Sequence, residues 1–321
     1  VEDDRRNIVR EEYIARINSV QDYIEANFSE EFSLKKLAEI ANFSPYHFHR
    51  IFSIMTGETL FQFIQRIRLE KAGFLLLANP KTPIIEIALE CGFSNQASFA
   101  KAFKNHFNMN ASKFREERLQ EIELKSTPES NMGKVFCQGI NYNGTIKGKQ
   151  CCITEVTLDT SFSVEVKEIP DMEVVYIRHT GPYKQDAALF HALFEKLYHW
   201  GAERGLMEAD EIKWLTLFHD KLDLTEDHKL RISICMTVSK GVKVDGEVGR
   251  TTIPGGKYAV GHFQLQEDQY QNAWKALCGQ WLPESGYQPD DRLCFELYPK
   301  HTSGDLENSQ YVDIYIPIKP L

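Results

Sequence analysis

The stretch Leu37-Ala38-Glu39-Ile40-Ala41-Asn42-Phe43-Ser44-Pro45-Tyr46-His47-Phe48-His49-Arg50-Ile51-Phe52 decides the fold of the first part of the chain. With Leu34, the residues Leu37, Ala38 and Ala41 fall at helical spacing, which predicts a short helix with this set turned inward. Asn42-Phe43-Ser44 reads as a tight turn. Ser44 can cap the next helix, and Pro45 stands at its first position, where a missing N–H costs nothing. Phe48, Ile51, Phe52 and Met55 then recur at i, i+3, i+4 and i+7 and give the second helix its apolar side.

The pattern returns about 50 residues later: Ile87-Ala88 repeats Leu37-Ala38, and Phe93-Ser94 repeats Phe43-Ser44. Ile84, Ile87 and Ala88 form one helix and Gly92-Phe93-Ser94 the turn. Phe99, Ala102 and Phe103 line the second helix. Between the copies, Thr59 to Leu77 reads as one long helix with Leu60, Phe63, Ile64, Ile67 and Leu75 inward, ended by Asn79-Pro80. An earlier helix turns Ile14, Ile17, Ile24 and Phe28 inward. Residues 10–118 are therefore expected to be an all-α domain, two helix-turn-helix units joined by a long helix.

A helix, a tight turn and a second helix is the geometry that places a reading helix in the DNA major groove. The outward faces suit that use: Tyr46, His47, His49 and Arg50 on one helix, and Asn95, Gln96, Ala97, Ser98, Ala100 and Lys101 on the other. Arg, Asn, Gln and Lys can pair with base edges, and Ala can touch a thymine methyl. The plain alternative is two solvated helix faces, and the doubling of the unit favours DNA. Net charge is −9 overall, yet residues 1–118 hold sixteen basic and sixteen acidic residues, and 119–321 hold 21 and 30. The acidic second part cannot add to phosphate binding and must do something else.

Residues 29–115 resemble the two-unit helix-turn-helix domain of the AraC/XylS family of bacterial transcription regulators. The matching string is Leu37-Ala38, the Phe-Ser turn, Arg50-Ile51-Phe52, Gly57, Arg68, Ile87-Ala88, Gly92-Phe93, Phe99, Phe103-Lys104 and Phe114-Arg115. The resemblance implies that Tyr46, His49 and Arg50 in the first unit, and Gln96, Ala97, Ser98 and Lys101 in the second, contact bases. Asn108 and Ala111 stand where the family usually has a glycine and a proline. Asn tolerates a left-handed backbone, so the turn is expected to survive. The last helix is expected to start less firmly.

The remainder holds a different repeat. Ile169-Pro170 and Ile253-Pro254 each lie beside a strand-like run, Glu173 to His179 and Lys257 to Phe263. Each run leads to an amphipathic helix, carrying Phe190, Leu193, Leu197 and Trp200 or Tyr270, Trp274, Leu277 and Trp281. Each helix reaches Trp-x4-Gly, then a strand (Trp214 to Phe218; Leu293 to Tyr298), then a closing strand (Leu230 to Val238; Tyr311 to Ile318). Two β-α-β-β units predict an α+β domain, an antiparallel sheet with two helices on one face and the other face open. Residues 162–321 resemble the GyrI-like effector-binding domain, on His179-Thr180-Gly181-Pro182-Tyr183, the duplication and Phe295-Glu296-Leu297-Tyr298. The resemblance implies a small-molecule effector.

Strand alternation sets Leu293, Phe295 and Leu297 against Cys294, Glu296 and Tyr298. With the apolar trio placed under the helices, Glu296 is expected at the centre of the open face. A carboxylate among rings selects lipophilic cations by charge and cation–π attraction. Tyr183, Trp274 and Tyr298 are the expected rings, with Trp214 and Tyr258 in reserve. The plain alternatives are a solvated carboxylate and core aromatics.

Residues 119–161 read as a linker with one or two short strands, near Val135-Phe136-Cys137 and Ile153 to Val156. The 321 residues, 42% hydrophobic and 26% charged, suit two or three globular domains. No run is long and apolar enough for a membrane helix, and the N-terminus lacks the apolar stretch of a secretion signal. Seven unpatterned cysteines, Cys151-Cys152 adjacent, suit a reducing cytoplasm rather than a disulfide scaffold. His47 and His49, two apart on a helix, cannot share a metal ion. No metal, cofactor or nucleotide-loop motif is present. The expectation is a one-component regulator whose partners are double-stranded DNA, a small lipophilic cation and RNA polymerase. The rival readings are a hydrolase with Glu296 as general base and a protein-interaction module.

Overall fold

The computed structural model describes residues 2–124, 162–184, 186–208, 212–220, 224–266, 269–290, 292–299 and 310–320. The strands expected near 135–137 and 153–156 lie outside them. The chain divides into two compact units, Val1–Gln120 with Lys243–Thr251, and Glu121–Val242 with Thr252–Leu321.

The first unit is built of helices α1 (Glu2–Ala26), α2 (Leu34–Ile40), α3 (Pro45–Thr56), α4 (Leu60–Ala78), α5 (Ile84–Glu90), α6 (Gln96–Phe107) and α7 (Ala111–Leu124). One hydrogen bond closes each tight turn in the same way: Phe43 N–H donates to Ala38 C=O at 2.9 Å and Phe93 N–H to Ala88 C=O at 3.0 Å. The residue before each phenylalanine is left-handed, Asn42 at φ 53° and Gly92 at φ 79°. Ser44 caps α3 and Asn95 caps α6. Counted from these caps, Phe48 and Phe99 are fourth in their helices and Phe52 and Phe103 eighth, and all four are buried. The repeat is thus one of packing as well as of sequence.

Ile17, Val20, Ile24, Leu37, Ala38, Phe48, Phe52 and Phe63 form the core around the first helix-turn-helix repeat. A chain of ring contacts through Phe93, Phe99, Phe103, Phe107 and Phe114 holds the second helix-turn-helix repeat. Each fully buried phenylalanine contributes about 1.5–3 kcal/mol of burial. A capping box at Thr59 and Gln62 starts α4. Leu34 does not join the core: it is 41% exposed at the first position of α2, and the buried residues of that helix are Leu37 and Ala38.

Asn108 adopts φ 57°, so asparagine does keep the turn. The start of α7 is not loose. Asn110 takes the cap, its Oδ1 accepting the Lys113 N–H at 2.8 Å and its C=O the Phe114 N–H at 2.9 Å. Asn110→Ala should cost about 1 kcal/mol and lower the thermal midpoint of the helical unit by roughly 4–8 °C. Asn110→Ser should restore most of it. Circular dichroism melts of the full chain check both.

The second unit contains β1 (Ser163–Ile169), β2 (Met172–Thr180), α8 (Ala187–Ala202), β3 (Trp214–Phe218), β4 (Arg231–Thr237), the last two residues of β5 (Gly249–Ile253) and β6 (Gly256–Leu265). Then follow α9 (Tyr270–Lys275), β7 (Tyr287–Pro289), β8 (Cys294–Tyr298) and β9 (Gln310–Pro320). The sheet order is β1-β6-β9-β8-β3-β4-β2-β5, and β7 pairs with the end of β9. Both expected modules appear, β2-α8-β3-β4 and β6-α9-β8-β9, and they meet where β3 pairs antiparallel with β8. The glycine of each Trp-x4-Gly is left-handed, Gly205 at φ 66° and Gly286 at φ 75°. The helix of the second module is not uniform: α9 passes into a π-helical stretch, Ala276–Trp281.

Both helices cover the face that carries Glu296, which reverses the expected orientation. A Cβ on Gly261 would meet Leu277 at 3.0 Å, and one on Gly201 would meet Met236 at 3.0 Å, which fixes the covered side. Phe295 and Leu297 point the other way. With Tyr176, Leu215, Leu217, Cys235, Tyr258, Val260 and Tyr315 they make a buried apolar cluster, against which Leu293 packs. That face is not an open concavity. Alternation sorts residues between two faces but cannot say which one the helices take when both are apolar.

Candidate functional site

Glu296 stands on β8 opposite Thr216 on β3, at the junction of the two modules. Its side chain is almost wholly enclosed, 3% exposed. Trp274 of α9 donates its indole N–H to Oε1 at 2.6 Å, and Tyr298 donates its hydroxyl to Oε2 at 2.9 Å. The Tyr298 hydroxyl lies 3.0 Å from Thr216 Oγ1, so the carboxylate ends a short polar chain. Burial pushes the Glu296 carboxyl up to about 7, and the bonds from Trp274 and Tyr298 oppose the shift. The same burial raises the Tyr298 hydroxyl well above its ordinary range.

Rings surround this carboxylate. Phe218 meets Trp274 edge-on at 5.9 Å, Tyr183 packs 6.3 Å from Phe218, and Phe194 of α8 meets Tyr298 at 5.5 Å and Trp214 at 6.0 Å. Tyr183 is buried, and its hydroxyl is raised by burial first and then by the Asp220 and Glu296 carboxylates. The structure therefore gathers Glu296, Trp274, Tyr298 and Tyr183, with Trp214 beside them. Tyr258 is excluded: it lies on the far face against Phe295 and Tyr315, its hydroxyl donating to Pro254 C=O at 2.9 Å. Sequence reasoning missed Thr216, Phe218 and Phe194. The first two share the alternation of Trp214 along β3, and the last follows Phe190 by one helical turn, so the pattern was there once the covered face was known.

The second candidate surface lies on α3 and α6. Tyr46, His49, Arg50, Gln96, Ala97, Ser98 and Lys101 are all exposed, Tyr46 at 70%. Arg50 is the sixth residue of α3 and Lys101 the sixth of α6, so the two cations hold equivalent places. Gln96, Ala97 and Ser98 make up the first turn of α6, the part of a reading helix that meets base edges. The Ser98 hydroxyl donates to Asn95 C=O at 2.9 Å, which ties it to the cap and leaves it an acceptor. Among the described residues, no group of three or more His, Cys, Asp or Glu side chains could hold a metal ion, and no helix is long and apolar enough to cross a membrane.

Residues 37–117 match the family model of a helix-turn-helix domain, and residues 162–319 match that of the GyrI-like small molecule binding domain. The Transposon Tn10 TetD protein from Escherichia coli is 37% identical over 107 residues, 33% of this chain and 77% of that protein. The chain belongs to the AraC/XylS family. This AraC/XylS member carries a GyrI-like domain after its helix-turn-helix domain and is a transcription regulator that senses a small molecule. A DNA gyrase inhibitor from Edwardsiella piscicida is 26% identical over 160 residues, 49% of this chain and 97% of that protein. A probable AraC family transcriptional regulator from Rhodopseudomonas palustris shares 29% identity, with a TM-score of 0.30 over 32% of this chain and 95% of that one.

Proposed function

We propose that α3 and α6 read adjacent major-groove segments and that the GyrI-like domain of this AraC/XylS member senses a lipophilic cation. The observation that carries the second half is the enclosed carboxylate of Glu296, faced by Trp274 and Tyr298 and ringed by Phe194, Phe218 and Tyr183. An aromatic cation there would trade its hydration for ring faces and one negative charge. The role is that of a sensor and not of a catalyst. RNA polymerase is the further partner, reached when effector binding changes transcription.

For DNA, the support is the matched pair of exposed helices with Arg50 and Lys101 in equivalent places. Phosphate contacts would supply most of the affinity and the two helices the choice of sequence. The test is a footprint of the full chain on a site selected from random DNA. Protection should fall on two groove segments about 10 base pairs apart on one face of the duplex. Protection of a single segment would sink the two-helix reading.

A further inference from the structure

Arg68, on the helix α4 that joins the two helix-turn-helix repeats, is bound to neither reading helix. Its guanidinium Nε donates to Phe28 C=O at 2.7 Å and its Nη2 to Glu30 C=O at 2.6 Å. These carbonyls belong to the turn that leads into α2, so α4 grips the entry of the first unit. The group lies 6.0 Å over the Phe32 ring, and burial lowers its pKa without threatening its charge.

The turn of the second unit arrives at the same place. A Cβ on Gly92 would stand 2.7 Å from Ser29 O and 3.0 Å from Arg68 Cζ. Both the closeness of that approach and the φ of 79° demand glycine. Three segments distant in sequence thus meet at one guanidinium: the entry to α2, the middle of α4 and the turn between α5 and α6. Two further arginines among the described residues brace a turn within a single helix-turn-helix repeat. Arg16 donates to Asn42 C=O at 3.3 Å, and Arg115 donates to Thr82 C=O at 2.8 Å.

We infer that Arg68 is a positioning residue that sets the separation and phase of α3 and α6, and so makes the regulator selective for one spacing between its two half-sites. The inference rests on the proposed reading of DNA by both helices. One inserted base pair turns the second half-site by about 35° and moves it by about 3.4 Å. A rigid pair of helices cannot follow, and loses the gain of making the second contact within one complex.

The test uses the full chain and duplexes built from a site that it selects from random DNA, with zero, one or two base pairs inserted between the half-sites, and a duplex carrying one half-site alone. For the parent, one inserted base pair should lower affinity about tenfold. Arg68→Met keeps the stem and deletes both donated bonds. It should lose about tenfold on the uninterrupted site, hold single-half-site affinity within about twofold, and shrink the insertion penalty below about threefold. Arg68→Lys, with one donor able to reach a carbonyl, should fall between. Gly92→Ala, which wedges the same junction from the other side, should flatten the spacing dependence in the same way.

An Arg68→Met protein that keeps the parent's full insertion penalty overturns the inference. So does one whose half-site affinity falls in step with its site affinity, since that is general damage and not lost alignment. A parent with no insertion penalty would overturn the two-helix reading itself, a different failure visible before any variant is made.

Discussion

Glu296→Gln should weaken binding of aromatic cations by about 10–100-fold while leaving neutral compounds of the same outline nearly unaffected. Loss of one charge-assisted contact is worth roughly 1.5–3 kcal/mol, which is that factor. Glutamine suits the test because its carbonyl can still accept the Trp274 N–H, and its amide can donate to a Tyr298 hydroxyl that turns toward Thr216. The enclosure also gives the interaction a pH signature. Burial raises the carboxyl to about 7, so cation uptake below that pH must expel a proton, and affinity should fall about tenfold per unit there. The Gln variant should show no such slope. Stability depends on pH in the opposite sense: the raised carboxyl stabilises the fold fully below the ordinary carboxylate range, and that stability is lost as pH rises to about 7. Titration of both proteins with cationic, neutral and anionic aromatic compounds at pH 6 and 8 is decisive. Equal cation affinity in both would leave the site a purely apolar one.

Arg50→Ala should cost about 1–3 kcal/mol of specific DNA binding and relax the choice at one base position. Arg50 lies on the open side of α3, with Phe48 and Phe52 buried on the other side, so its truncation should leave the fold intact. Lys101→Ala in the equivalent place should weaken contact with the second half-site by less, since a lysine offers a point charge and not a fork. Both effects should appear as changes in the ratio of specific to non-specific affinity at fixed salt. If Arg50→Ala binds the selected site as the parent does, α3 is not a reader.

The helical unit was legible because its signals are local. Caps at Ser44, apolar residues at helical spacing and a repeated Phe-Ser turn each act within a few residues, and tertiary packing did not override them. Leu34 failed for a local reason too: an apolar residue at a first helical position need not reach the core. In the sheet domain the strands and the duplication could be read, but the side taken by Glu296 could not. Phe295 and Leu297 are apolar enough to lie under helices, and instead pack in a second core that nothing in their own strand announces. The rings about Glu296 come from α8, α9, β3 and β8, so their gathering is a matter of topology that no spacing encodes.

Arg50 and Lys101 occupy the same rung of two helices built alike, yet they differ in chemistry. On the proposed reading this gives the DNA site a grammar. One half demands a guanine with two aligned acceptors, and the other accepts any edge or phosphate that rewards a mobile charge. Such a site is no palindrome. The regulator can lie along it in one direction only, so the strand order of a promoter decides which end of the protein faces the start of transcription.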